Sequence, residues 1–278
     1  ADIDPESGMI DPVDVAKKIT PETSAVISVA WAGAPPVLEM LWTICKERKV
    51  KFILDAAHAF GAEYKEKPVH QWADFSAYSF QAIKHVTTGD GGALICRAED
   101  YHKRARALKW FGIDRDAGKD AQGNWKGQQW DIDVIEAGYK FNLNNISAAI
   151  GLAQLPHIAR ILAAHRANAR LYDELFADAT SARPAKRPDG GQSSHWVYTM
   201  RTTGAVPRDE LLRRLNAEGI MAGVVHVPND VYTAFQPYCA DLPGTRAFSS
   251  VQFSIPCGWW LGEEDVRHIA ARVLELSR

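Results

Sequence analysis

The sequence predicts an α/β protein whose larger part is a mainly parallel sheet, followed by a smaller α+β C-terminal domain. Two observations carry this. Short apolar runs of strand length alternate with segments whose apolar residues recur at helical spacing. Several of those runs are apolar nearly throughout, as in strands buried under helices on both faces. Length supports the division: 278 residues can bury a sizeable core, and one large plus one small domain is the natural split.

Asp11-Pro12 is a helix start, with Asp as cap and Pro at the first helical position, ahead of Val13 to Ile19. Ser24 to Ala30 reads as a strand. Pro36 to Lys49 reads as a helix, with Val37, Met40, Leu41 and Ile44 on one face. Val50 to Leu54 is a strand with β-branched Val50 and Ile53. Phe75 to Phe80 and Ala93 to Arg97 are two more strands, and Glu99 to Trp110 is a basic helix. Ile113 to Trp130 is polar and long enough to be a functional loop. Trp125 and Trp130 within it are expected to pack on their own domain, with stacking on a nucleotide base as the alternative.

Asn145 to Leu175 reads as one long helical run that leaves the large domain and enters the small one. Ala182 to Ser194 is a loop, punctuated by Pro184, Pro188, Gly190 and Gly191. A strand over His195 to Arg201, a helix over Pro207 to Glu218 and a strand over Ile220 to Val225 follow. Phe253-Ser254-Ile255-Pro256 and a helix from Glu263 to Leu276 close the chain. No internal repeat is present.

Lysine plus arginine total 32 against 34 acids, a net charge of −2, so there is no basic field for nonspecific nucleic-acid binding. Cys45, Cys96, Cys239 and Cys257 form no C-x-x-C pair and are expected to be buried free thiols in a reducing compartment. The sequence shows no obvious membrane-spanning run or signal peptide, so a cytoplasmic enzyme without membrane partners is expected.

Two stretches carry chemistry. Phe52-Ile53-Leu54-Asp55-Ala56-Ala57-His58 places an acid after an apolar strand, where open α/β sheets bind their ligands. Such an acid is costly to bury without a cationic partner. The plain alternative for Asp55 is a helix cap. Ser79-Phe80-Gln81-Ala82-Ile83-Lys84-His85 then leads into Thr87-Thr88-Gly89-Asp90-Gly91-Gly92. Glycines there permit positive φ and close approach to a ligand. A desolvated lysine beside other cations has a lowered pKa and a usable amine. Ser79 and the threonine hydroxyls are suitable donors to phosphate oxygens. Acid and lysine together suit pyridoxal phosphate, with the acid on the pyridinium nitrogen and the lysine as Schiff-base partner. A metal hydrolase built on Asp55, His58 and His70 is a remote alternative, since no second set of ligands is evident.

These stretches resemble those of the DegT/StrS nucleotide-sugar aminotransferases, fold-type-I pyridoxal-phosphate enzymes of the aspartate aminotransferase type. The resemblance extends to Asp2-Ile3-Asp4-Pro5-Glu6 and to Gly138-Tyr139-Lys140-Phe141-Asn142 with the helix after it. It implies a cofactor-binding large domain over residues 1–155, and a connecting helix plus small domain over 156–278. By position Lys84 is the covalent anchor, Asp55 the partner of the ring nitrogen, and His58 the neighbour of the phenolic oxygen. Ser79 contacts the phosphate, and Asn142 reaches the phosphate of a second subunit in a homodimer. Trp31 and His226 line the substrate cleft.

The implied reaction is amination of a keto group on a nucleotide-linked deoxysugar, for polysaccharide or lipopolysaccharide precursors, with glutamate as amino donor. A related branch dehydrates the sugar and has histidine in place of the lysine; Lys84 is present here, so that branch is disfavoured. The resemblance also implies about a hundred residues ahead of Ala1, the scale of a domain half, supplying a phosphate turn and a stacking aromatic. On that expectation the chain alone binds cofactor poorly. A catalytically impaired fragment with a binding or assembly role is the alternative.

Overall fold

The computed structural model describes residues 1–128, 130 and 132–278. Helix α1 (Pro12–Lys18) begins as expected: Asp11 accepts the Val13 N–H at 2.8 Å and Pro12 takes the first helical position. Strand β1 (Ala25–Val29), helix α2 (Leu38–Glu47) and strand β2 (Lys51–Asp55) follow close to the expected bounds. Asp55 is thus the last residue of its strand. A small hairpin of β3 (Glu63–Tyr64) and β4 (Lys67–Pro68) precedes β5 (Phe75–Ser79), β6 (Gly92–Cys96) and helix α3 (Glu99–Leu108).

The main sheet has the order β1-β2-β5-β6, with β1, β2 and β5 parallel and β6 antiparallel to β5. Val29, Asp55 and Ala77 lie level in register, so the carboxyl ends of the parallel strands share one edge. Val15 from α1 and Leu38, Leu41 and Cys45 from α2 join Val26, Phe52 and Leu54 of the sheet in one buried cluster. Each large side chain fully buried there contributes roughly 1.5–3 kcal/mol relative to exposure. At the opposite end of the sheet, buried Asp74 accepts the Phe52 N–H at 3.0 Å and a Lys46 ammonium proton at 3.2 Å, the partners that a buried anion requires.

The expected single helix over 145–175 is two, α4 (Asn145–Gln154) and α5 (Ile158–Leu175), with a 3-10 turn at Leu155–His157 between them. Pro156 lies in that turn and supplies no N–H to continue an α-helix. By length and composition Asn145–Leu175 is nonetheless long and apolar enough to cross a membrane, which the sequence reading missed because Gln154, Pro156 and His157 interrupt the run.

Strands β7 (Ala182–Pro184), β8 (Gly191–Gln192) and β9 (Tyr198–Thr202), helices α6 (Arg208–Ala217) and α7 (Pro243–Val251), strand β10 (Gln252–Ile255) and helix α8 (Glu263–Leu276) complete the chain. β10, β9 and β7 form an antiparallel sheet over a second core that includes Tyr172, Phe176, Met200, Leu211, Phe253 and Val266. The segment expected as a loop carries both β7 and β8, and β8 pairs with β3 from much earlier in the chain. The expected strand over 220–225 shrinks to one bridge, Gly223 with Ser254. Asn216 takes the Ala222 carbonyl at 2.8 Å, removing an acceptor that a ladder would need.

Asp2 ties the start of the chain to α7. Its carboxylate accepts the Gly244 N–H at 2.7 Å, and the Thr245 N–H and hydroxyl at 2.8 Å each. In the polar loop over 113–130, of which Gln129 lies outside the described residues, Trp125 packs against Gly118 but Trp130 is 78% exposed, against expectation. It follows a run of polar residues that gives it no apolar surface to cover. Only Cys45 and Cys257 are buried; Cys96 is half-buried, and Cys239 is exposed at the end of a surface 3-10 segment.

Candidate active site

The loop over residues 80–91 leaves β5 and returns as β6, and its own bonds set its shape. Phe80 N–H donates to Gly91 O and Thr88 N–H to Phe80 O, both at 2.8 Å. Gly91 holds φ +142°, and a Cβ there would stand 2.7 Å from Thr88 Oγ1, so only glycine fits. The Thr88 hydroxyl donates to Asp90 O at 2.8 Å, and Thr87 Oγ1 accepts the Gly89 N–H at 2.9 Å. Both threonines help build the turn: Thr88 spends its hydroxyl proton within it, and Thr87 serves it as an acceptor. Gln154 at the end of α4 brackets Thr87: its Oε1 accepts the Thr87 N–H at 3.1 Å and its Nε2 donates to Thr87 O at 2.6 Å.

From this loop Lys84 reaches a cavity of about 750 Å³ at the carboxyl edge of the sheet. Asp55, His58, Ser79, Trp31 and His226 line the same cavity, as does Gln81, which sequence reasoning did not single out. Burial lowers the Lys84 pKa while the Asp55 carboxylate works against that shift. Of the two expected agents, desolvation and neighbouring cations, desolvation is the cause. The Lys84 ammonium nitrogen stands 3.9 Å from the centroid of the Trp196 ring.

Asp55 Oδ1 accepts the Ala57 N–H at 3.0 Å, a turn bond two residues along, and no helix follows, so Asp55 is not a helix cap. His58 is buried and stacked on Trp196 at 4.0 Å, with His226 a further stacked neighbour at 5.8 Å. Burial first, then the charge of Lys84, pushes the His58 pKa down to about 3, so the ring is neutral at ordinary pH. Trp31 meets His226 edge to face at 5.3 Å and Phe248 at 6.2 Å. Ser79 Oγ accepts the Gln81 N–H at 3.2 Å.

Asn142 stands apart from this group. Its amide donates to Leu143 O at 3.3 Å, its Oδ1 is buried without a partner, and the cap of α4 is Asn144, which accepts the Ser147 N–H at 2.9 Å. Asn142 therefore does not cap α4. His70 lies in a different cleft, beside Trp42 and Trp72, away from Asp55 and His58.

Four buried polar atoms on cavity-lining residues, Ser28 Oγ, Trp31 Nε1, His58 Nδ1 and Gln252 Oε1, have no partner among the described residues. Such atoms are costly unless a ligand satisfies them. With an amine biased toward neutrality and a carboxylate at a strand end, the donor set fits a group such as pyridoxal phosphate.

Residues 1–274 match the DegT/DnrJ/EryC1/StrS aminotransferase family. The chain belongs to that family. It is 30% identical over 272 residues to a UDP-4-amino-4,6-dideoxy-N-acetyl-beta-L-altrosamine transaminase of Helicobacter pylori, covering 96% of this chain and 70% of that protein. Among solved structures it is similar to the sugar aminotransferase CalS13 of Micromonospora echinospora, with a TM-score of 0.89 and 32% identity over 99% of this chain and 73% of that one. A putative sugar aminotransferase of Streptococcus pneumoniae, Spr1654, solved in its PLP form, gives a TM-score of 0.88 and 25% identity, covering 100% of this chain and 73% of that chain. The fold is that of the pyridoxal-phosphate-dependent sugar aminotransferases, and pyridoxal phosphate is the cofactor of this family.

Proposed function

We propose that this protein transfers an amino group from glutamate to a keto group on a nucleotide-linked deoxysugar. The observation that carries the reading is the convergence of Lys84, Asp55 and a neutral His58 on one cavity. The name of the Helicobacter relative supports a nucleotide-linked dideoxy amino sugar as the product class.

Bound pyridoxal phosphate supplies a carbonyl carbon that exchanges amino groups and a ring that takes up the electrons of a substrate carbanion. Lys84 anchors the cofactor between turnovers. Released, its amine would carry a proton from the donor's α-carbon to the carbonyl carbon of the cofactor, and from there to the sugar carbon in the second half-reaction, as base and then acid each time. Burial favours the neutral form that taking the proton needs. Asp55 keeps the ring nitrogen protonated. His58, neutral, offers a ring nitrogen to the phenolic oxygen, and the Ser79 hydroxyl faces the phosphate. Trp31 and His226 form the aromatic wall against which the sugar lies.

The dehydrating branch is not favoured by His85. Its Nε2 is held 3.0 Å from Ser194 O, and the ring is buried away from the cavity.

The active unit we propose is a homodimer. Phe141 and Ile146 are 74% and 78% exposed, and Ile150, one turn after Ile146, is exposed on the same apolar face of α4. A two-fold partner covering it brings Asn142, with its unpartnered Oδ1, to the phosphate of the other subunit. We place the enzyme in the cytoplasm. The domain boundary we propose follows residue 155, separating residues 1–155, with the sheet and Lys84, from 156–278 with the second core.

The test is borohydride reduction of the cofactor-loaded protein followed by peptide mapping, paired with turnover on glutamate and a nucleotide-linked 4-keto-6-deoxy sugar. Label on Lys84 and aminated sugar are the expected results. Label on another lysine, or no amine on the sugar, refutes the reading.

A further inference from the structure

Trp196 touches two of the reactive side chains and is assigned no part in the reaction above. Its indole is stacked on the His58 imidazole, with ring centres 4.0 Å apart and planes 22° from parallel. The Lys84 ammonium nitrogen lies 3.9 Å from the centre of the same indole. The indole N–H donates to Ile83 O at 2.8 Å, one residue ahead of the lysine. A single side chain therefore meets the imidazole, the amine and the backbone that carries the amine.

The loop presenting Trp196 is clamped from three directions. Ser194, fully buried, donates its hydroxyl to His58 O at 3.0 Å, and the Trp196 N–H donates to Ala32 O at 3.0 Å. His85 Nε2 lies 3.0 Å from Ser194 O, and His165 Nδ1 lies 2.7 Å from His195 O. Between them His195 holds φ +52°, a left-handed backbone that costs energy in a residue other than glycine. Such strain persists only where surrounding bonds over-determine it, so the place of Trp196 is imposed by the Asp55 loop, the lysine loop and α5 together.

We propose that Trp196 is a positioning residue: by stacking on His58, facing the Lys84 ammonium and holding Ile83, it fixes the lysine amine and the imidazole relative to one another. The proposal rests on Lys84 being the reactive amine. The charged and titratable groups around that amine are Asp55 at the end of β2, His58 in the loop after it, His85 beside it in the chain, and His226 beyond His58. Against these the indole face favours the ammonium form through its quadrupole, without bringing a charge of its own.

The experiment uses cofactor-free protein and follows acylation of Lys84 by a small amine-reactive reagent across pH, quantified by peptide mapping. Trp196→Leu keeps apolar bulk but loses the π face, and Trp196→Phe keeps a ring but loses the bond to Ile83. In the leucine variant the Lys84 titration should move to lower pH, so that labelling at a fixed pH below the midpoint rises about two- to tenfold, the scale of a cation–π contact. The phenylalanine variant should fall between it and the parent.

In the loaded enzyme both variants should lower kcat for the half-reaction with glutamate while leaving its KM within about twofold. A leucine variant with the parent midpoint, a raised midpoint or full kcat overturns the proposal. If that variant does not fold by circular dichroism, parent values of midpoint and kcat in the phenylalanine variant overturn it instead. Failure of the underlying reading would show separately, as turnover surviving in Lys84→Ala.

Discussion

Removing the Gln154 side chain amide should loosen the lysine loop measurably. Its two bonds to Thr87, at 3.1 and 2.6 Å, are the clamp between α4 and the turn that carries Lys84 three residues earlier. A side-chain bond of this kind contributes about 0.5–1.5 kcal/mol net, so the pair is worth about 1–3 kcal/mol. Gln154 is only half-buried, and water can replace it on both Thr87 groups, which places Gln154→Ala near the lower end, at about 1 kcal/mol. That corresponds to a fall in melting temperature of roughly 2–4 °C for a chain of this size class. Gln154→Glu should recover nothing, because it keeps the acceptor for Thr87 N–H but sets a carboxylate against Thr87 O. Urea denaturation followed by circular dichroism measures the global term. Amide exchange across residues 85–91 measures the local one and should quicken. If Gln154→Ala alters neither the denaturation midpoint nor the exchange of that loop, the clamp does not hold the loop.

Asp55→Asn should cut transamination on the order of a hundredfold or more, yet leave stability within about 0.5 kcal/mol, since the asparagine oxygen can still accept the Ala57 N–H. Steady-state rates beside urea curves check this, and near-parent turnover would show that the ring nitrogen does not depend on Asp55. His58, His85 and His195 all have pKa values pushed down to about 3, chiefly by burial. The unfolded chain therefore binds more protons than the folded one between about 6.5 and about 3, and stability should fall as pH falls through that window. His195→Asn keeps a residue tolerant of the left-handed backbone while removing one titrating ring, so its acid loss should be shallower; an identical pH profile would refute that. Ile146→Arg places a charge on the exposed apolar face of α4 and should shift sedimentation toward monomer, while an unchanged dimer would place the interface elsewhere.

What could be read from the sequence was what depends on near neighbours. Asp11 and Pro12 start α1 through bonds within one turn, and the closing helix was bounded correctly at Glu263 and Leu276. Trp31, Asp55, His58, Ser79 and Lys84 reach one cavity because parallel strands deliver their carboxyl ends to one edge, and His226 joins them from the segment that Gln252 and Ser254 hold. What was not legible depends on distant partners. Gly191-Gln192 becomes a strand only because Glu63-Tyr64 offers it an edge, and the strand over 220–225 fails because Asn216 takes its carbonyl. Trp196 carried no local signal at all: its neighbours Ser194 and His195 look like an ordinary loop until His85, His165 and His58 close around them. The lowered pKa of Lys84 was foreseen in direction and in its desolvation, but the neighbouring cations also expected to act on it do not contribute.

The bond between Asp2 and the start of α7 joins residues 242 apart in the chain. A contact of that span cannot form until nearly everything between its ends has been made and collapsed, because the entropy of closing the loop must be met before the contact repays it. The same holds for β8 adding to β3, which waits for the second core to bring Gly191 and Gln192 within reach. Docking of Asp2 on α7 and of β8 on β3 is therefore expected late among the contacts within these residues. Until then the β3–β4 hairpin keeps an open edge. Partly folded chains would carry that unpaired edge and an uncapped α7, so losses to aggregation should arise late in folding rather than at the initial collapse.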